Sequence, residues 1–373
     1  MAGFERFSSG IQYSEHKTIL SEKNKNADGR GAFARGASVR FEIDAPKNTV
    51  SVSMIMISDD DGSIRDFALA KTGNRYGFTL DTGAICGNDG GLFFYKYRIN
   101  TSDGTYDMIK NELDGSEIIA DKSDSFVDAF QLLIYIRRKK YPKWMHGGVM
   151  YQIFPDRFCK GGDFAPRADA KLQSPGEIPE FAENGQPILN NNFFGGDLAG
   201  VESKLDYLSS LGVNVIYFNP IFEAYSNHRY DTGNYMKIDG MLGGEEAFAS
   251  LIKAAKKRGI RVILDGVFNH TGSDSVYFNR QGKYDSVGAY QSEKSPYFKW
   301  YNFKKFPDKY ECWWDFATLP RVRCDEPSYR KFICGKDGVI RKYIKAGVSG
   351  WRLDVADEVS DGFLKELKSA AAS

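Results

Sequence analysis

From residue 149 onward the chain repeats one pattern, a short apolar run followed by an amphipathic helix, and few folds absorb that repetition. VMYQIFP (149–155) reads as a buried strand. VESKLDYLSSLG follows, with Val201, Leu205, Leu208 and Leu211 on one helical face and Gly212 as its stop. VNVIYFNP (213–220) is a second strand. EEAFASLIKAAKKRG then puts Phe248, Leu251, Ile252 and Ala255 on one face and ends at Gly259. IRVILDGV is a third strand, VIRKYIKAG a helix ending at Gly347, and SGWRLDV a fourth strand. Strands apolar on both faces and joined by helices predict a parallel sheet with crossovers. Four such units predict the first half of a (β/α)8 TIM barrel, with a long excursion (271–325) after the third strand. A doubly wound open sheet is the competing reading, but no GxGxxG follows the first strand to support it.

The first third of the chain has the other period. SVRFEID alternates at Val39, Phe41 and Ile43, and TVSVSMIMIS at Val50, Val52, Met54 and Met56. GLFFYKYRI and FQLLIYI are two further strand-like runs, and Asp61-Gly62 and Asp89-Gly90 supply turns. These residues predict an N-terminal antiparallel β-sandwich over 1–138, and no useful helical period precedes residue 140. The second domain is then 139–373, a partial (β/α)8 barrel with 271–325 as an inserted loop domain.

Composition removes several classes. Lys plus Arg number 50 and Asp plus Glu 49, so bulk electrostatics predict no nucleic-acid partner. The five cysteines form no close CxxC pair, which argues against a disulfide framework or a Cys-rich zinc site. No segment reaches the ~18 uninterrupted apolar residues of a membrane helix, and MAGFERFSSGIQYSEH lacks a signal-peptide core. The expectation is a cytoplasmic protein with no membrane partner. Aromatic residues make up 14%, which fits either a large core or a cleft that stacks on flat ligand rings.

Three segments fall where parallel barrels keep their chemistry, at C-terminal strand ends. DGVFNH (265–270) closes the third strand, GWRLDVADE (350–358) spans the fourth, and NHRYDT (227–232) follows the second. Arg352 and Asp354 are two apart on a strand and share a side. A guanidinium there favours the charged carboxylate, the state a glycosidase nucleophile needs. Alone, each feature has a plainer reading: Arg352–Asp354 as a structural pair, His270 as a satisfied histidine, Tyr230 as packing. Their weight lies in occurring together, in barrel order.

Together the segments resemble glycoside hydrolase family 13, the α-amylase family. DGVFNH is similar to its first signature and GWRLDVADE to its second. VNVIYFNP, the NHRYDT loop and ATLPRV (317–322) are similar to its accessory signatures. MYQIFPDRF with FFGGDLAGV resembles the neopullulanase, cyclomaltodextrinase and maltogenic amylase branch, which carries an N-terminal β-sandwich. The resemblance implies that Asp354 is the nucleophile, oriented by Arg352. It implies that His228, Tyr230 and His270 line the subsite of the cleaved glucose, with Asp265 and Asn269 in support. It also implies retaining hydrolysis of α-1,4 bonds, with α-1,6 bonds open, in starch-derived oligosaccharides, pullulan or cyclodextrins. No cofactor is required, and the complete protein is expected to be a homodimer.

Departures from the family pattern set further expectations. A retaining site needs a second carboxyl ~5–5.5 Å from the nucleophile. The family places it on a fifth strand, whereas this sequence runs out at KELKSAAAS in the helix after the fourth. The expectation is a chain truncated after the fourth barrel strand and inactive by itself. Glu358, four residues past Asp354, is not promoted to general acid. A glucan-binding or interaction role without catalysis is the alternative. The resemblance also implies a structural calcium near Gly195 and Asp197, although CKGGD (159–163) replaces the expected Asn/Asp cluster. A helix N-terminal cap is the other reading of Asp197.

Overall fold

The computed structural model describes residues 17–20, 31–73, 75–88, 90–110, 117–136, 142–179 and 190–372. The chain divides into two compact units, Met1–Tyr141 and Pro142–Ser373. The boundary expected at 138/139 falls in 137–141, outside the described residues, as does Asp89 of one expected turn.

The first unit is β-rich. One sheet orders its strands as Lys17–Leu20, Ser38–Asp44, Arg75–Asp81 and Ala70–Thr72. The other is built on the long strand Gly91–Thr101, which pairs with Thr49–Ser58 along one edge. Gly104–Lys110 and Phe130–Tyr135 share its other edge in succession. Alternation fixes which side chains enter the core between these strands: Val39, Phe41 and Ile43 from one sheet, and Val52, Met54, Met56, Tyr95 and Tyr97 from the other. Two expectations fail. Val50 is exposed because the register shifts between Thr49 and Ser51, and this bulge turns Thr49 inward in its place. Pairing is not uniformly antiparallel, since Ala32–Ala34 runs parallel to Phe130–Tyr135.

The second unit holds a four-stranded parallel sheet in chain order: β1 (Val149–Ile153), β2 (Val213–Phe218), β3 (Arg261–Gly266) and β4 (Gly350–Leu353). The expected first helix is two short ones, α1 (Leu198–Ser203) and α2 (Leu205–Ser210), parted at Lys204. Val201, Leu205 and Leu208 are buried as read, but Leu211 is exposed. It is the C-terminal cap of α2, where the helical face has already ended. α3 (Gly244–Lys257) buries Phe248, Leu251, Ile252 and Ala255 as the spacing predicts. α4 (Pro327–Cys334), α5 (Val339–Lys345) and α6 (Asp361–Ala371) complete the helices on this side of the sheet. The excursion 271–325 has no core of its own. Tyr277, Phe278, Trp300, Tyr301 and Tyr310 enter the same cluster as Ile216, Leu264 and Leu251.

Candidate active site

Asp265 ends the inward row of β3 and is buried. Its carboxylate accepts from the Tyr217 hydroxyl of β2, from the Tyr230 hydroxyl at 3.0 Å, and from Arg352 Nη1 at 3.2 Å to each oxygen. One side chain thus ties β2, β3, β4 and the loop after β2. Burial raises its proton affinity, while Tyr217 and Arg352 oppose that shift. The same Arg352 Nη1 donates to Asp354 Oδ1 at 2.7 Å. Burial opposes the charge of Arg352, but Asp265 and Asp354 hold its guanidinium well above the usual range, so it stays charged at any working pH. Asp354 keeps 16% of its side chain open. Val355, the next residue, is in the left-handed region at φ 40, an outlier for a β-branched side chain. Such strain persists only where the surroundings over-determine it, and it clusters at functional sites.

The loop after β2 is set from beneath by Arg229, a buried residue at φ 59. Its Nε donates to Asp239 at 2.6 Å and its Nη1 to the Asn227 carbonyl at 2.8 Å. That clamp turns His228 and Tyr230 to one side, with ring centroids 5.9 Å apart. His228 Nδ1 accepts the Tyr230 backbone N–H at 3.1 Å, which places the neutral ring's proton on Nε2. Burial, with the charge of Arg229, pushes the His228 pKa down to about 4.

His270 is buried, and neither ring nitrogen has a hydrogen-bond partner. Burial pushes its pKa down to about 4 against the pull of Asp354. Its ring lies on Trp313, with centroids 5.4 Å and planes 29° apart. Asn269 turns toward Glu358, donating to Oε2 at 3.2 Å.

Gly195 and Asp197 are not joined to this cluster by any hydrogen bond described. The Asp197 carboxylate accepts from Gly200 N at 2.6 Å, as cap of α1, and from the amides of Gly161 and Gly162 at 2.9–3.2 Å. Oxygens engaged by three amides fall short of the six to eight open oxygens calcium takes. Among the described residues no group of three or more His, Cys, Asp or Glu could hold a metal ion. The Asp197 side chain thus serves here as the helix cap, the other reading of this residue.

The structure therefore brings Asp354, Arg352, Asp265 and Tyr230 into one hydrogen-bonded set. His228 lies against Tyr230, and His270 is within reach of the Asp354 charge. Sequence reasoning missed Tyr217, whose inward position in VNVIYFNP is readable from period two, and Arg229, whose burial nothing in the sequence signals. The arrangement offers a fixed carboxylate for attack beside two neutral imidazoles able to hydrogen-bond hydroxyls.

Comparison with known proteins shows what the chain is similar to. A relative 40% identical over 315 residues is an amylopullulanase of Thermoanaerobacterium thermosulfurigenes, covering 74% of this chain and 17% of its own length. Neopullulanase 2 of Thermoactinomyces vulgaris is 34% identical over 249 residues, 64% of this chain and 39% of that protein. A solved cyclomaltodextrinase is similar over 90% of this chain and 56% of its own, with a TM-score of 0.54 and 25% identity. The chain thus spans less than two thirds of each of these relatives. The family model described as the alpha amylase catalytic domain matches residues 152–369, so the chain belongs to the α-amylase family of glycoside hydrolases.

Proposed function

We propose that this chain carries the nucleophile side of a retaining α-glucosidic site, within the first four βα units of a (β/α)8 barrel that follows a β-sandwich. The substrates are starch-derived oligosaccharides, pullulan or cyclodextrins, cut at α-1,4 bonds and, as an extension of the same site, at α-1,6 bonds. The names of the relatives support this substrate class. The observation that carries the reading is the partly open Asp354 carboxylate, held by Arg352 at the end of β4. An Asp354 oxygen bonds to the anomeric carbon as the glycosidic C–O bond breaks, and the leaving oxygen takes a proton from an acid. Water then attacks the ester with that acid acting as base. Tyr230 stacks on the ring, and the neutral His228 and His270 hydrogen-bond its hydroxyls. The unmatched nitrogens of His270 support that role, because buried polar atoms without partners call for one.

Glu358 is spoken for, since its carboxylate accepts from Asn269, Trp313 and Trp314. The acid in this proposal therefore lies outside these four units, and the 373 residues alone do not turn over maltoheptaose or pullulan. A cytoplasmic, homodimeric complete protein belongs to the same proposal. Among the described residues no helix is long and apolar enough to cross a membrane.

The test separates attack from acid catalysis. In a deactivated α-glucosyl fluoride the leaving group departs as fluoride and needs no proton. The chain should gain one glucosyl mass on Asp354, and Asp354→Asn should gain none. Label on another residue, or none on the wild-type chain, overturns the nucleophile assignment. A glucan-binding protein without catalysis also predicts no label.

A further inference from the structure

One nitrogen serves two carboxylates at the ends of β3 and β4. Arg352 Nη1 donates to both oxygens of Asp265 at 3.2 Å and to Asp354 Oδ1 at 2.7 Å. How its charge divides depends on Asp265, and Asp265 is held from β2. The Tyr217 hydroxyl donates to Asp265 Oδ2, and the guanidinium of Arg352 lies 5.9 Å over the Tyr217 ring. Tyr230 gives its hydroxyl proton to the same oxygen at 3.0 Å. An ionised carboxylate only accepts, so both hydroxyls point their protons at it. The orientation of the Tyr230 hydroxyl is set one residue past β2. Asn219 Nδ2 donates to the Tyr230 oxygen at 3.3 Å, while Asn219 Oδ1 accepts from Gln152 Nε2 of β1 at 2.9 Å. The donors therefore run one way, from Gln152 to Asn219 to Tyr230 to Asp265. Among the described residues no hydrogen bond joins Tyr217 or Asn219 to Asp354 itself.

We infer that Tyr217 and Asn219 are positioning residues for the attack of Asp354, acting through Asp265 and Arg352. The proposal rests on the reading of Asp354 as the nucleophile. Burial pushes Asp265 toward its protonated form, and the Tyr217 hydroxyl opposes that shift more than any other group, ahead of Arg352. The titratable and charged groups facing Asp265 are Tyr217 of β2, Tyr230 of the loop, and Arg352 and Asp354 of β4. His270 faces Asp354 from beyond the end of β3. An ionised Asp265 holds Arg352 between two acceptors, and Asp354 feels only part of the guanidinium. A protonated Asp265 returns that charge to Asp354 and stabilises its carboxylate further. Stabilisation of the ground state that is lost as the carboxylate spends its charge in attack slows the step. The β2 residues thus set how tightly the nucleophile is gripped without touching it or the sugar.

The experiment follows labelling of Asp354 in the 373-residue chain by the deactivated α-glucosyl fluoride, against reagent concentration and pH. An Asp354 oxygen bonds to the anomeric carbon as the C–F bond breaks, and fluoride leaves with the electron pair, so no acid enters the step. Tyr217→Phe keeps the ring and loses the hydroxyl. It should slow labelling at saturation about tenfold and leave the half-saturating concentration unchanged. Without that donor Asp265 takes its proton at higher pH, so the acid limb of the rate should move up by about one pH unit. Asn219→Leu should act the same way, by about threefold and about half a pH unit. Melting curves accompany each variant, and the half-buried Asn219 carries the result if Tyr217→Phe does not fold. Unchanged rate and acid limb overturn the positioning role and leave the reading of Asp354 intact. A raised half-saturating concentration with an unchanged maximal rate also overturns it, because the residues would then bind the sugar. Slower labelling without a shifted acid limb overturns it too, since loosened packing would do the same. No label on the wild-type chain overturns both readings.

Discussion

The two faces of the four-stranded sheet differ sharply although the same strands make both. Toward the helices, Ile153, Ile216, Phe218, Val262 and Leu264 enter one large buried cluster with residues of α1, α3, α5 and α6. On the other face only Val215, Tyr217 and Ile263 form a small cluster, packed against Trp144. Beside them Met150 is 47% exposed, and Gln152 is exposed too. Above them the row turns polar with Asp265, Arg352 and Asp354. The helix-covered face supplies rigidity, and the open face displays charge at strand ends that this rigidity holds still. Chemistry placed on strands keeps tighter geometry than chemistry placed on loops.

The largest expected effect falls on the open face. Wherever glucan turnover is measurable, Asp354→Asn should lower kcat more than about a hundredfold, at least ~2.7 kcal/mol of barrier, with the melting temperature nearly unchanged. An amide of the same shape cannot attack the anomeric carbon. Retained kcat would remove the open face from the chemistry. Adjacent residues on β3 then compare the faces in stability. Leu264→Ala, in the large cluster, should lose about 3–5 kcal/mol, and Ile263→Ala, in the small one, about 2 kcal/mol. Calorimetric melts check this pair, and equal losses would mean that both faces are packed alike.

How much of this was legible in the sequence follows from which forces are local. The short apolar runs VNVIYFNP and IRVILDGV, and the helical period of α3, are local patterns, and the structure follows them as two strands and a helix. The proximity of Arg352 and Asp354 was equally local, two residues apart on one strand. Contacts set by long-range closure were not legible. Glu358 meets Trp313 across 45 positions, and Tyr217 meets Asp265 across 48. α4 was missed although Pro327 stands at its first turn and Glu326 caps it, a start signal that is easily passed over in a short helix directly after an aromatic-rich excursion. The break at Lys204 and the bulge at Val50 have no marker in composition.

Protons extend the contrast between the faces. His228 and His270, both buried near the open face, have pKa values pushed down to about 4, against about 6.5 in an unfolded chain. Between those values the unfolded chain binds protons that the folded chain refuses. Stability should therefore fall as pH drops from about 6.5 toward 4, by up to ~1.4 kcal/mol per pH unit for each histidine. Asp231 works the other way. Fully buried, its pKa is raised to about 6, so between ~3.8 and 6 the folded state holds a proton the unfolded state has released, and stability falls as pH rises. Urea midpoints at pH 4.5, 5.5 and 6.5 should show His270→Gln less acid-sensitive than wild type and Asp231→Asn more so. Parallel curves for all three would mean that these groups are open to water.

The smallest effect separates two carboxylates that are equally hidden. Asp265 and Asp197 are each 1% exposed, but their partners differ in kind. Asp265 is held by two tyrosine hydroxyls and a guanidinium of the open face, and Asp197 by the amides of Gly161, Gly162 and Gly200. Backbone amides satisfy a carboxylate without a cation, and this one also caps α1. Asp197→Asn keeps an acceptor oxygen for the cap but loses one that the Gly161 and Gly162 amides use, and should cost about 1 kcal/mol. Calcium enters as the discriminating ligand. An ion bound only by the folded state would add about 2.7 kcal/mol of stability at a hundredfold excess over its Kd. The expectation here is no shift in melting temperature on adding millimolar calcium or EDTA, in wild type or in Asp197→Asn. A rise of several degrees with calcium, lost in Asp197→Asn, would show that the carboxylate leaves its amides for the ion, and would make this loop a metal site after all.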